Sequence, residues 1–130
     1  MNFINHDEQS REDWRKGVST RMRISALNGA TALTIFVQWC EPGLGAPTHW
    51  HPVEEVLTVL SGNAEIWIDG KQFRATAGHS ALVPAKSRHG FRNTGDSELH
   101  MLAILAAPAF EAHYDDRSEV SRRWWPENEK

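Results

Sequence analysis

The stretch Val56 to Ala75, VLTVLSGNAEIWIDGKQFRA, decides the fold class. Val56 to Leu60 is a run of β-formers closed by Ser61-Gly62. Ala64 to Ile68 follows as a partner strand, Asp69-Gly70 is a tight hairpin signal, and Gln72 to Ala75 returns. Three strands this short leave no room for the helices that a parallel α/β sheet requires.

Outward from that stretch the punctuation continues. Arg21 to Leu27 alternates, Asn28-Gly29 reads as a hairpin, and Thr31 to Cys40 follows with Leu33, Ile35, Val37 and Trp39 on one face, before EPGLGAP breaks the run. Further strands are expected at Ala81 to Val83, Gly90 to Asn93 and Leu99 to Ala106. Such spacing predicts an all-β sandwich or barrel, because double layering or closure removes exposed sheet edges. A single domain is expected over residues 1–130, its barrel core at about 21–107. Residues 1–20 and 108–130 are richer in charge and read as terminal extensions: short helices, capping strands or loose tails.

Composition narrows the function. With 40% hydrophobic and 24% charged residues the chain is globular. Its 14 basic and 17 acidic residues are interspersed, giving a formal charge of −3 with no basic block for phosphates, so nucleic acid is not an expected partner. The polar opening, MNFINHDEQSREDWRKG, lacks the apolar core of a signal peptide, and no apolar run reaches membrane-spanning length. A cytoplasmic protein is expected. The one cysteine, Cys40, fits a reducing compartment and reads as a buried, inert thiol.

Chemistry concentrates just upstream of the opening stretch, in GLGAPTHWHPVEE, Gly43 to Glu55. On a strand, residues two apart share a side, so His49 and His51 present imidazoles to one space while Trp50 points away. Glu55 has the same parity and heads a strand whose Leu57 and Val59 line the interior. A carboxylate at the mouth of an apolar interior is costly unless paired or bound to a cation.

The spacing resembles a known family. The first cupin motif is a glycine, five residues, His-x-His, three or four residues, a glutamate, six residues and a glycine; Gly43, His49, His51, Glu55 and Gly62 match it. Five fixed residues arise at a given start with a chance of about one in three million. The second motif has glycine, proline, glycine, histidine and asparagine at set intervals, and Gly78, Pro84, His89 and Asn93 match, with Lys86 in place of the middle glycine. Glu54 is also within range, but only Glu55 leaves six residues before Gly62 and shares the parity of His49 and His51, so Glu54 reads as a solvated neighbour or as a carboxylate that orients a metal-bound imidazole. The resemblance covers about residues 30–107 and implies a double-stranded β-helix, or jelly roll, with one metal site inside. It makes His49, His51, Glu55 and His89 the ligands.

Three imidazoles and one carboxylate form a mixed N/O set suited to Fe, Mn, Ni, Co or Zn rather than to Mg or Ca. A six-coordinate ion keeps two positions for water, substrate or dioxygen, whereas a tetrahedral Zn is closed and structural. Lysine at position 86 implies a different turn or a strain cost between Pro84 and Arg88.

Gln38, Phe91 and His100 are the candidates for touching a small-molecule ligand. Only one of Gln38 and Trp39 can face inward, Phe91 shares the parity of His89, and His100 lies on a late strand that could reach the cavity. Arg92 then faces outward, His79 is a turn residue, and His6 and His113 are solvated. Some cupin lyases use a pocket tyrosine as base; the sole tyrosine, Tyr114, lies beyond the barrel, and only a folded-back C-terminal segment could supply it.

The resemblance implies an enzyme acting on a small polar molecule as a dioxygenase, lyase or isomerase. The alternative is a binding module that holds a sugar or organic acid unchanged. A homodimer is expected, with Trp67, Trp124 and Trp125 as candidate interface area.

Overall fold

The computed structural model describes residues 2–118 and 120–126. Twelve strands form two six-stranded antiparallel sheets: β1 (Glu12–Arg15), β2 (Val18–Ile24), β3 (Thr34–Cys40), β4 (Gly45–Trp50), β5 (Glu55–Ser61), β6 (Asn63–Ile68), β7 (Lys71–Thr76), β8 (Ser80–Val83), β9 (His89–Asn93), β10 (Leu99–Leu105), β11 (Phe110–Tyr114) and β12 (Val120–Arg123). One sheet runs β1-β2-β3-β10-β5-β8 and the other β12-β11-β4-β9-β6-β7. This is the jelly-roll sandwich, and consecutive strands repeatedly cross from one sheet to the other.

Alternation builds the core. Leu57 and Val59 of β5, Ala64 and Ile66 of β6, Phe91 of β9, and Leu99, Met101, Ala103 and Leu105 of β10 turn inward and are buried together. Asp69 and Gly70 both have positive φ, 49° and 85°, as a tight hairpin between β6 and β7 demands. The signal at Asn28-Gly29 resolves differently. β2 stops at Ile24, and Ala26–Asn28 form a 3-10 turn capped by Ser25, whose N–H is bound in return by Asn28 Oδ1 at 2.9 Å. Gly29, at φ 108°, closes that turn rather than a two-residue hairpin.

EPGLGAP does break the run, since β3 ends at Cys40; the chain resumes at Gly45 as β4, where three steps from Ala46 to His49 face two steps on β9 from Phe91 to His89. Pro47 lies inside this bulge, where its missing N–H removes no ladder bond. Of the alternatives for the chain ends, the structure shows capping strands. β1 and β2 complete one sheet, β11 and β12 the other, and Trp124 packs back onto Trp14, Phe36 and Phe110 with ring centroids 5.3–5.9 Å away. Trp124 is therefore buried in its own fold. Trp125 donates to Phe110 O, and Trp67 donates from Nε1 to Thr48 Oγ1 at 2.9 Å.

Lys86 occupies the left-handed region at φ 68°, the conformation the family's glycine would take, and its N–H donates to His51 O at 2.8 Å. The turn thus fastens the segment carrying His51 at the expense of a strained lysine. A non-glycine residue there costs about 1–2 kcal/mol, offset in part by the flexibility glycine loses on folding. Lys86→Gly is expected to stabilise the protein by about 0.5–1 kcal/mol. Equilibrium urea denaturation reads this as a raised midpoint at unchanged slope; a lowered midpoint would refute it.

Candidate metal centre

Four strand positions bring the cluster together. His49 lies on β4 opposite His89, the first residue of β9, with the bulge at Pro47 setting that register. His51 follows the end of β4, and Glu55 opens β5. All four side chains are buried, and their donor atoms lie within 4.8 Å of one another. The rings of His49 and His89 have centroids 4.3 Å apart, those of His49 and His51 4.7 Å.

The hydrogen bonds fix the tautomers. Nδ1 of His49 lies 2.6 Å from Pro47 O, Nδ1 of His51 2.8 Å from Glu111 O, and Nδ1 of His89 2.8 Å from Ser87 O. A carbonyl oxygen can only accept, so each Nδ1 carries the hydrogen and each Nε2, if the ring is neutral, presents a lone pair. Those lone pairs converge on a carboxylate: Glu55 Oε1 is 2.9 Å from His89 Nε2 and 3.4 Å from His51 Nε2. Acceptors facing acceptors repel unless a proton or a cation stands between them. His51 Nε2 is buried without a hydrogen-bond partner. An orphaned donor atom in such a cage fits one divalent cation, and the tied Nδ1 atoms are the kind of outer contact that aims imidazoles at a metal.

Electrostatics carries the same signature. Burial, then the neighbouring His89 and His51, pushes His49 down to about 3. Burial also works to lower His51, but the Glu55 carboxylate overrides it and raises the group. Glu55 would be raised by its own burial; the charge and hydrogen bonding of His51, with those of His89, hold it well below the usual carboxylate range. A negative charge is kept at the bottom of the cavity.

Above the cluster is a narrow cavity. Its polar wall is Arg15, Gln38, His49, His51, Glu55 and Tyr114, and its apolar wall includes Trp14, Phe36, Leu57, Phe91, Met101 and Phe110. Gln38, rather than Trp39, faces inward, with Nε2 donating to Thr20 Oγ1 at 2.9 Å. Phe91 faces inward beside it. His100 does not reach the cavity: it lies on the outer face of the sheet, stacked on Trp39 at 4.8 Å, because its neighbour Met101 takes the inward position. Trp50 points away from the cluster and stacks on His113 at 3.9 Å. His113 is thus half-buried rather than solvated, with Nε2 2.9 Å from Glu111 Oε2.

Arg15 and Tyr114 are the cavity residues that the sequence pattern did not select. The C-terminal segment does fold back: β11 pairs with β4 so that Tyr114 sits opposite His49, with ring centroids 5.3 Å apart. Arg15 arrives on β1, donating from Nη1 to Gly45 O at 2.7 Å and from Nη2 to Tyr114 Oη at 3.4 Å. Asn93 serves the fold: Nδ2 donates to Cys40 O and Ser97 O, and Oδ1 accepts from Gly95. Cys40 is buried, and that burial pushes its thiol up to about 12, so the thiolate is absent at neutral pH.

A family model for the cupin domain matches residues 36–105. The chain is 34% identical over 88 residues to polyketide synthase CurC of Streptomyces cyaneus, covering 67% of this chain and 54% of that protein. It is 33% identical over 110 residues to protein SchB of Streptomyces halstedii, covering 82% and 80%. The chain therefore spans about half the length of CurC but most of SchB. A crystal structure of an RmlC-like cupin from Shewanella frigidimarina superposes with a TM-score of 0.73 at 23% identity, over 84% of this chain and 92% of that one. At that identity the likeness concerns the fold. Among the described residues no helix is long and apolar enough to cross a membrane.

Proposed function

Since the chain belongs to the cupin family, we propose that it is a single-domain metalloenzyme in which His49, His51, Glu55 and His89 hold one divalent transition metal, Fe, Mn, Ni, Co or Zn, and that it acts on a small polar molecule. The observation that carries this reading is the convergence of three imidazoles, each tied through Nδ1 to a carbonyl, on a buried carboxylate with His51 Nε2 left unpartnered. Such an ion supplies Lewis acidity toward a carbonyl or carboxylate, or one-electron chemistry toward dioxygen if it is Fe(II). The protein's own contribution is positional. Tied imidazoles keep their lone pairs aimed inward, and the carboxylate offsets one of the ion's two charges. Phe36, Phe91 and Phe110 restrict water around the substrate. Tyr114 is the group at the cavity that can exchange a proton with a substrate without leaving the ion's ligand set, which favours turnover over mere holding.

Native mass spectrometry and elemental analysis of untagged protein from its own host test the reading. One ion per chain is expected, together with conversion of a small oxygenated metabolite in a host extract, through dioxygen uptake, elimination or isomerisation. The likeness to CurC, named a polyketide synthase, adds polyketides to the panel. Protein that retains no transition metal when supplied with all five would overturn it.

The same reading places the protein in the cytoplasm as a homodimer. The unpaired, buried Cys40 supports a reducing compartment. For the dimer, the support is an apolar outer sheet face where Leu60 of β5 is 38% and Leu82 of β8 is 60% exposed, while Trp124 is buried within its own fold. Sedimentation showing only monomer at micromolar concentration would reject it.

A further inference from the structure

We propose that Arg15 and Tyr114 form an anion-recognition end of the cavity, and that the substrate is accordingly a small carboxylate. Arg15 is half-buried at the cavity, yet among the described residues no Asp or Glu lies within salt-bridge distance of it. A cation withdrawn from water without a counter-charge is costly, and the cost is recovered if a ligand brings the missing anion.

The geometry favours a carboxylate over other anions. Arg15 Nη1 is engaged by Gly45 O at 2.7 Å, which anchors the guanidinium and sets its plane. The second contact, Nη2 to Tyr114 Oη at 3.4 Å, is beyond the ordinary range for a hydrogen bond and is the one an incoming anion can replace. Tyr114 Oη accepts in that contact, so its own hydrogen remains to be donated. An arginine N–H and a phenol O–H side by side match the two oxygens of one carboxylate, and the planar fork suits that planar group better than a tetrahedral phosphate in so narrow a space.

Charge points the same way. This step rests on the metal-centred reading: a divalent ion and the Glu55 anion leave one net positive charge at the bottom of the cavity, and Arg15 adds another at its side. A molecule with a carboxylate at one end and an oxygen function at the other complements both.

Malonate is a suitable probe, with malonamide as its uncharged isostere and inorganic phosphate as a competing anion. Calorimetric titration of metal-free and metal-loaded protein is expected to show malonate binding and no malonamide binding. Arg15→Gln is expected to weaken malonate about tenfold or more, since charge-assisted hydrogen bonds are lost. Arg15→Lys should recover part of the loss by restoring charge without the fork, and Tyr114→Phe should weaken binding less than Arg15→Gln. Malonate binding equally to wild type and Arg15→Gln overturns the proposal. So does a wild type that binds no malonate, that binds malonamide as well, or that prefers phosphate. The two readings fail separately. Arg15-dependent malonate binding by a chain that retains no metal keeps the anion site and removes the metal centre; one metal per chain with Arg15-independent malonate binding does the reverse.

Discussion

Glu55→Gln is expected to abolish metal retention while leaving the fold intact. The glutamine keeps the volume of the side chain but removes the one negative charge among the four donors. Disturbing a group that merely orients a ligand costs metal affinity about 10–100-fold, so loss of a ligand and its charge should cost at least the upper figure. The fold survives for a local reason. In the metal-free wild type Glu55 Oε1 faces the lone-pair side of His89 and His51 at 2.9 and 3.4 Å, which is tolerable only with a proton between them. An amide at position 55 can donate its own N–H into the same space, so the buried nitrogens gain a partner without any proton uptake. Elemental analysis after dialysis against a weak chelator should give about one ion per wild-type chain and less than about a hundredth of that affinity for the variant. Metal-free wild type and variant should melt within a few degrees of each other at pH 8. A variant that keeps its ion, or that fails to fold when metal-free, would count against the role given to Glu55.

How much of this was legible in the sequence differs from residue to residue. His49, His51 and Glu55 were readable because parity and the distance to Gly62 are local quantities. The hairpin at Asp69-Gly70 was readable because two consecutive positive φ values leave few residue choices. His100 was ambiguous because β10 is apolar on both faces: Leu102 and Ile104 alternate with Met101 and Ala103, and only packing shows that the latter pair is inside. The same holds for β3, where Trp39 looks as apt for an interior as Gln38. Arg15 and Tyr114 were hidden for another reason. β1, which carries Arg15, is a four-residue strand dominated by charge, EDWR, with no alternation to mark it, and Tyr114 on β11 reaches His49 through a pairing across 65 positions that no local pattern encodes. The asparagine-glycine pair was overruled because Ser25 and Asn28 could cap each other.

Metal-free protein is expected to be most stable near pH 6.5 and to lose stability in both directions, whereas metal-loaded protein should hold its stability on the alkaline side. His49 titrates at about 3 in the fold and near 6.5 when unfolded. Below 6.5 the unfolded chain takes up a proton the fold refuses, so stability falls by about 1.4 kcal/mol per pH unit, or about 2 kcal/mol by pH 5. His100, lowered by burial and by Arg23, adds to the same limb. Glu55 has the opposite charge but the same direction of loss: its folded value is depressed, so its contribution is present above 4.5 and drains away as pH falls below that. His51 governs the alkaline side. Its folded value is raised above 6.5, so its contribution is complete below 6.5 and lost as pH climbs through the folded value. A bound ion removes the alkaline limb, because it takes the place of the proton between the imidazoles and Glu55 and binds better as competing protons leave. At a hundredfold excess over its dissociation constant the ion adds about 2.7 kcal/mol. Urea midpoints of chelated and metal-replete protein between pH 5 and 9 give the two curves directly. His49→Gln should flatten the acid limb more than His100→Gln does, and coincident curves for the chelated and replete forms above pH 6.5 would show that no ion takes the proton's place.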